Sequence, residues 1–333
     1  MNTRTLGSTG PSTSALGLGL MGMSDLYGPS DRAESLATIH AALDAGITFL
    51  DTGDFYGMGH SELLLREALD GRARDSVQIS VKFGALRDPD GGWTGVDGRP
   101  VAVKNALAYS LQRLGTDYVD VYRIARLDPA VPIEDTVGAI RELIDAGHVR
   151  HVGLSEVGAE TLRRAHAVSP VADLQIEYSL LSRGIEKEIL PTARELGVGI
   201  TAYGVLSRGL LSGHWSMERS AQSRDFRAIL PRFQPGQVER NLELVERLRE
   251  VAEAKGATVA QVAIAWVLGR DRGIVPLVGA RRRDRLEESL GALRVELSPS
   301  DLDAIEAAIP AHEVAGDRYP GDQMAMLDSE RSA

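Results

Sequence analysis

Apolar residues in this chain fall into two patterns: short unbroken runs, and longer stretches in which they return every three or four positions. Runs rich in Val, Ile and Leu suit strands buried on both faces, whereas the spaced pattern suits helices with one apolar face. The runs predict strands over Ala15–Gly19, Ile47–Asp51, Val77–Lys82, Tyr118–Ile124, Val149–Leu154, Ala172–Ile176, Val198–Ala202 and Gly273–Val278. The spaced stretches predict helices over Asp31–Ala45, Ser61–Asp70, Val101–Leu114, Ile133–Ala146, Ala159–Val168, Ile185–Glu195 and Ala260–Arg270. Punctuation agrees: Ser30-Asp31 offers an N-cap to the first helix, and Gly46 and Gly147 stand just past two helix ends, where a left-handed residue stops the helix.

Strands alternating with helices imply a parallel sheet, and eight such units favour a closed α/β barrel, the (β/α)8 TIM barrel, over an open doubly wound sheet. Three segments stand outside the repeat. Thr3–Ser14 reads as a hairpin around Gly7-Ser8-Thr9-Gly10-Pro11, a plug for one barrel end. Ser207–Gln237 is a long loop rich in Arg, Ser, Gly and Pro, of the kind that is functional or mobile. Val314–Ala333 is polar, with Gly316-Asp317-Arg318-Tyr319-Pro320 as its structured part. The expectation is one barrel domain over residues 1–320, with an N-terminal hairpin plug and long loops on its C-terminal face, and a polar tail over 321–333.

Composition narrows the chemistry. The 333 residues contain no cysteine, which removes disulfides, thiolate nucleophiles and Cys-ligated zinc and suits a reducing compartment. A net charge of −10 argues against nucleic acid as a partner. No run of about 18 apolar residues exists to span a membrane, and Met1–Gly7 lacks the apolar stretch of a secretion signal. A cytoplasmic location is expected, and no heptad or repeat reveals an oligomeric state. His148 and His151, three apart on a strand, point to opposite faces and cannot share a metal, so no metal site is expected.

Gly17-Leu18-Gly19-Leu20-Met21-Gly22 matches the G-x-G-x-x-G dinucleotide pattern, but the Rossmann fingerprint requires a helix opening at its second glycine. Ser24-Asp25-Leu26-Tyr27-Gly28-Pro29 follows and cannot continue such a helix. The informative stretch is Phe49-Leu50-Asp51-Thr52-Gly53-Asp54-Phe55-Tyr56-Gly57. Asp51 ends one strand, Tyr56 lies five residues on in a glycine-flanked loop, and Lys82 ends the next strand. Adjacent strands lie about 4.8 Å apart, so side chains at one end of the pair can meet where barrel enzymes gather their catalytic groups. Singly, each residue has an ordinary reading as turn former, packing aromatic or solvated cation; together they make a proton donor. A phenol with a pKa of about 10 is a weak acid, an ammonium beside it favours the phenolate, and an aspartate holds that ammonium in place.

These residues make the chain resemble the aldo-keto reductase superfamily from Arg4-Thr5-Leu6-Gly7 to Arg318-Tyr319-Pro320. The motifs are Asp51-Thr52-Gly53-x-x-Tyr56-Gly57, Ser80-Val81-Lys82, Gly153-Leu154-Ser155, Leu174-Gln175-Ile176-Glu177-Tyr178-Ser179 and Val275-Pro276-Leu277-Val278-Gly279-Ala280-Arg281. The resemblance implies the barrel, NADPH as hydride donor, and reduction of a small-molecule aldehyde or ketone, with Asp51, Tyr56 and Lys82 as the catalytic residues. It further implies that Ser155 and Gln175 hold the nicotinamide carboxamide, that Tyr203 stacks on the ring, and that Gly22 and Met23 meet the ribose. Gly204, Leu206 and Arg208 would wrap the pyrophosphate, with Gly279 nearby. Arg281 and Arg285 would take the 2′-phosphate, and Glu288 and Ser289 the adenine.

The arginine run Arg281-Arg282-Arg283-Asp284-Arg285 carries weight without the family. It precedes or opens a helix over Leu286–Gly291, whose positive end disfavours cations, so it is either an anion site or a solvated basic patch. Two departures matter. Glu156 replaces the family's asparagine after Ser155, and a carboxylate cannot donate to the carboxamide oxygen. In Asp120-Val121-Tyr122-Arg123-Ile124-Ala125-Arg126-Leu127-Asp128-Pro129, Ala125 stands at the family's catalytic histidine. This feature is similar to a bacterial branch near the pyridoxal reductases, which makes pyridoxal or an aromatic aldehyde a candidate substrate. Either the chain is a reductase in which water, Arg123 or Arg126 fills the gap, or it is an NADPH-binding sensor or auxiliary protein with little turnover. Trp93, in the Asp90–Gly95 loop, is a further candidate for the substrate pocket, with Tyr56 and Arg126.

Overall fold

The computed structural model describes residues 1–24, 26–216 and 225–331; Asp25, residues 217–224 of the long loop and residues 332–333 of the polar tail lie outside the described residues. Eight strands form the closed barrel: β1 (Gly17–Gly19), β2 (Phe49–Gly53), β3 (Gln78–Phe83), β4 (Val119–Ile124), β5 (Val149–Ser155), β6 (Val171–Glu177), β7 (Gly199–Tyr203) and β8 (Ile274–Val278). They follow one another around the barrel in chain order, every neighbour parallel, and β8 closes on β1 through Leu277 and Val278. This arrangement rules out the open sheet, and the segment after Gly19 is a 3-10 turn over Met21–Met23, with no helix to receive a dinucleotide. Gly17 has a different purpose: a side chain there would lie 2.7 Å from the Phe49 ring and 2.9 Å from Leu277, which fill the barrel.

The helices around the barrel are α1 (Arg32–Asp44), α2 (His60–Ala68), α3 (Pro100–Leu114), α4 (Ile133–Asp145), α5 (Ala159–Val168), α6 (Ile189–Leu196), α7 (Gln237–Ala254), α8 (Val259–Arg270), α9 (Arg283–Gly291) and α10 (Pro299–Ala308). Asp31 caps α1 by accepting from Glu34 N–H at 2.7 Å, and Gly46 and Gly147 are left-handed beyond α1 and α4. Two of these helices, α7 and α10, were absent from the expectation, as was a short helix over Gly321–Ala325 in the polar tail. The buried residues of α7 (Val238, Asn241, Leu244, Val245, Leu248 and Ala252) do recur at helical spacing, and Glu239 reaches back to Gly236 N–H; α10 is capped by Ser298. An antiparallel hairpin of Ala85–Arg87 and Trp93–Val96 was also unforeseen.

The N-terminal hairpin pairs Thr3–Thr5 with Ser12–Ser14 and sits at the end where strands begin. There Leu6 packs among Phe49, Val121, Val275 and Leu277, and Ser8 N–H donates to Gly197 O at 2.7 Å. The plug closes that end with apolar side chains, which leaves the opposite end of the barrel for chemistry. Among the described residues no single helix is long and apolar enough to cross a membrane.

Candidate functional site

Strand alternation points Asp51, Ser80, Lys82, Arg123, Asp173, Gln175 and Thr201 into the barrel. The result is a buried polar layer above the apolar plug. Asp51 accepts from Lys82 Nζ at 2.5 Å through one oxygen, and from Ser80, Arg123 and Gln175 at 3.0, 3.0 and 2.8 Å through the other. Lys82 Nζ also donates to Gln175 Oε1 at 2.7 Å. Arg123 is fully buried and continues across the barrel to both oxygens of Asp173, at 2.8 and 3.0 Å. It must pass β5 to do so, and Gly153 makes the passage: a Cβ there would stand 3.0 Å from Arg123 Nε and 2.8 Å from Asp173 Oδ1. Thr201 completes the layer with a hydrogen bond to Asp173. Burial pushes the Asp173 carboxyl up, against the opposing charge of Arg123.

Tyr56 lies above this layer in the loop between β2 and α2. Its N–H donates to Gly53 O at 3.1 Å and its carbonyl accepts from Ser61 at 3.2 Å, which fixes the loop independently of the side chain. Lys82 Nζ is 5.2 Å from the centre of the Tyr56 ring, and no described residue is hydrogen-bonded to the hydroxyl. Burial, with the Asp51 charge, holds the phenol well above its ordinary pKa. That direction is opposite to the one expected from a neighbouring ammonium, because desolvation of a phenolate outweighs it here. Lys82 is itself pushed down by burial, against the pull of Asp51. Ala125 is buried among Phe55, Tyr56, Met21 and Ala85, so the histidine position is filled by packing and carries no donor. Trp93, half exposed, packs edge-on to Phe55 at 5.6 Å, and Phe55 edge-on to Tyr56 at 4.8 Å. The unforeseen hairpin thereby sets an aromatic wall beside the tyrosine.

Around the mouth, the tail replaces solvent. Glu156 occupies a left-handed backbone (φ 54°), and its carboxylate accepts from Arg318 at 2.8 and 3.0 Å, Tyr203 at 2.8 Å, Ser329 at 2.6 Å and Glu177 N–H at 3.0 Å. Burial would raise its pKa, but Arg318 and Arg126 hold it far below the ordinary carboxylate value. Glu156 therefore clamps the tail and has no free lone pair for a carboxamide. Leu327 is buried against Leu230 and Tyr319, and Asp328 accepts from Gly158 N–H at 2.8 Å. Arg208, from a left-handed turn, points inward to Glu177 at 3.0 Å, and Arg232 and Arg318 flank the same carboxylate. The Tyr203 hydroxyl also meets Tyr319 at 3.0 Å.

Several rim features fit a bound dinucleotide. The Ser155 hydroxyl is buried at the end of β5 with no partner among the described residues, as a carboxamide contact requires. Gln175 beside it is occupied by Lys82 and Asp51 but keeps one donor and one acceptor. The Ser207 hydroxyl is buried and unpartnered too, between Leu206 and Arg208 in a turn where Gly204, Ser207, Arg208 and Gly209 all have positive φ. Such turns gather backbone N–H groups into anion-binding concavities. Ser207 is a candidate the sequence reading passed over, though a hydroxyl inside the pyrophosphate loop was a visible signal. Arg283 begins α9 and no side chain of Arg282 caps it. Around it Arg281 binds the carbonyls of Tyr27, Gly28 and Pro29, Arg285 binds Glu288 at 3.0 Å, and Arg283 binds Glu34. Ser289 is buried and donates to Arg285 O at 2.8 Å, Met23 is buried, and Gly22 abuts Tyr27 and Arg281. Gly279 follows β8, and a Cβ there would touch nothing.

The profile of the Aldo/keto reductase family matches residues 15–310. A probable aldo-keto reductase 1 of Glycine max is 41% identical over 317 residues, covering 94% of this chain and 90% of that protein. Among solved structures, a glycerol dehydrogenase from Gluconobacter oxydans superimposes with a TM-score of 0.84 at 28% identity, over 93% of this chain and 96% of its own. The holo form of an aldo-keto reductase from Bacillus halodurans does so with a TM-score of 0.77 at 26% identity, over 93% and 97%.

Proposed function

The chain belongs to the aldo/keto reductase family, and from that premise we propose that it reduces an aldehyde or ketone to the alcohol with NADPH, Tyr56 giving the proton. The observation that carries this reading is the Asp51–Lys82–Gln175 network directly beneath Tyr56, with the lysine ammonium 5.2 Å from the ring. When bound, the nicotinamide supplies a hydride to the carbonyl carbon. Ser155 and Gln175 would hold its carboxamide, Tyr203 its face, Ser207 and its turn the pyrophosphate, and Arg281 and Arg285 the 2′-phosphate that distinguishes NADPH.

The chain's own residues supply the rest. A phenol pushed up by burial stays protonated until a stronger base forms, and the oxygen of a carbonyl that has gained a hydride is such a base. The proton passes from the Tyr56 hydroxyl to that oxygen, leaving a phenolate. Lys82, held charged by Asp51, then stabilises the phenolate through space, and solvent restores its proton. Ala125 contributes nothing to the carbonyl, and Arg123 is committed to Asp51 and Asp173. Tyr56 is thus the acid on which turnover depends.

The second reading, a sensor that binds NADPH and seldom turns over, rests on the buried alanine at the histidine position. NADPH oxidation against an aldehyde panel that includes pyridoxal, for wild type and Tyr56→Phe, separates the two. The reductase reading expects the phenylalanine variant to lose about 10²- to 10⁴-fold in kcat with cofactor affinity retained. Tight NADPH binding with no Tyr56-dependent turnover would establish the sensor instead.

A further inference from the structure

The buried cations at the barrel mouth are matched to carboxylates, and one half-buried cation beside them is not. Lys82 and Arg123 share Asp51, Arg123 also holds Asp173, Arg208 and Arg232 hold Glu177, and Arg318 holds Glu156. Arg126 follows Ala125 just beyond β4 and has no ion-pair partner among the described residues. Its guanidinium donates to Ala125 O at 2.7 Å and, at the limit of a hydrogen bond, to the Tyr319 hydroxyl at 3.5 Å. It lies 6.0 Å over the Tyr319 ring. A guanidinium carries five N–H donors, so most of its capacity is unused. Half-buried at the mouth, it feels the charge of one acid that forms no ion pair with it. That acid is Glu156, filled by Arg318, Tyr203, Ser329 and Glu177 N–H.

The charge is also in the right place. Arg126 directly follows Ala125, which packs against Tyr56 and Phe55, and its charge opposes the burial and the Asp51 charge that raise the Tyr56 pKa. Tyr319 lies against the guanidinium, and its hydroxyl meets that of Tyr203 at 3.0 Å. Phe55 packs edge-on to Tyr56 at 4.8 Å and Trp93 edge-on to Phe55 at 5.6 Å, which extends an aromatic wall from the tyrosine. An anion delivered to Arg126 therefore arrives on a molecule that can also present a carbonyl to Tyr56.

We propose that Arg126 is a receptor for an anionic oxygen substituent of the substrate, which makes the preferred substrate an aromatic carbonyl compound bearing a carboxylate or a comparable oxyanion. The inference rests on the reductase reading. It assigns Arg126 to the substituent and leaves the carbonyl oxygen to Tyr56, so it gives the pocket a charge requirement that Ala125 alone does not.

The test compares benzaldehyde with 2-, 3- and 4-carboxybenzaldehyde in the full-length protein with NADPH, and measures benzoate binding by calorimetry. In wild type, the best carboxylated isomer should exceed benzaldehyde in kcat/KM by about 10- to 100-fold, mainly through KM, as for hydrogen bonds to a charged group. Arg126→Met should abolish that preference and weaken benzoate binding by about 10-fold or more; Arg126→Lys should retain part of both. Added salt should narrow the preference. Equal losses on neutral and carboxylated aldehydes in Arg126→Met, or wild type without preference for any isomer, would overturn the proposal while reduction itself stands. Benzoate binding that depends on Arg126, in a protein that turns over neither aldehyde, would uphold the anion site and refute the reductase reading.

Discussion

Replacing Arg123 by leucine tests the polar interior on which the site is built. The substitution removes three hydrogen bonds, one to Asp51 at 3.0 Å and two to Asp173 at 2.8 and 3.0 Å. Asp51 keeps Lys82, Ser80 and Gln175, but Asp173 is left fully buried with only Thr201. Removing one partner of a buried pair costs about 3–5 kcal/mol. For 333 residues the unfolding entropy near Tm is about 0.7 kcal/mol/K, so the expected fall in Tm is about 4–7 °C. The loss should depend on pH with a definite sign. Burial already raises the Asp173 pKa, and without Arg123 it rises further. The folded variant then holds a proton that the unfolded chain releases, so its stability falls as pH rises from the ordinary carboxylate value through the raised one. Urea unfolding at pH 5 and pH 8 should show the smaller cost at pH 5, and Arg123→Leu with Asp173→Leu should recover most of it, since an apolar pair can replace a buried ionic one. A cost below about 1 kcal/mol that is the same at both pH values would refute this account of the layer.

Two further outcomes are expected. Burial lowers the Lys82 pKa to about 8, against Asp51, so kcat should decline as pH rises through that value and the ammonium discharges. Over the same window, up to the ordinary lysine value of 10.5, the folded state binds fewer protons than the unfolded chain. Stability therefore rises with pH there, and urea midpoints that hold while kcat falls would distinguish discharge from unfolding. A kcat profile flat to pH 9.5 would contradict the role given to Lys82. Arg285→Ala should raise KM for NADPH by about 10-fold, the value of one or two charge-assisted bonds, and change KM for NADH little. Equal effects on both cofactors would place the 2′-phosphate elsewhere.

Local pattern carried much of this protein. Uninterrupted apolar runs made the strands, and Asp51, Tyr56 and Lys82 could be read as neighbours because strand ends in consecutive βα units lie side by side. The same reading passed over α7 because its apolar residues are interleaved with a dense set of Glu and Arg, and over the hairpin that carries Trp93 because its strands are only three and four residues long. What the order of residues could not decide was the partner of each charge. Glu156 looked like an altered carboxamide contact, yet it is claimed by Arg318, 162 positions away. Arg208 looked like a phosphate ligand and turns inward to Glu177. Arg123 and Arg126 looked equivalent as cations near Ala125, and only closure of the barrel separates them: Gly153 lets Arg123 through to Asp173, while Arg126 stops at the mouth without a carboxylate. Strands and helices follow from periodicities of two and 3.6 residues, which are local; charge pairing follows from which side chains converge inside a closed, water-poor space, and that is a property of the tertiary structure alone.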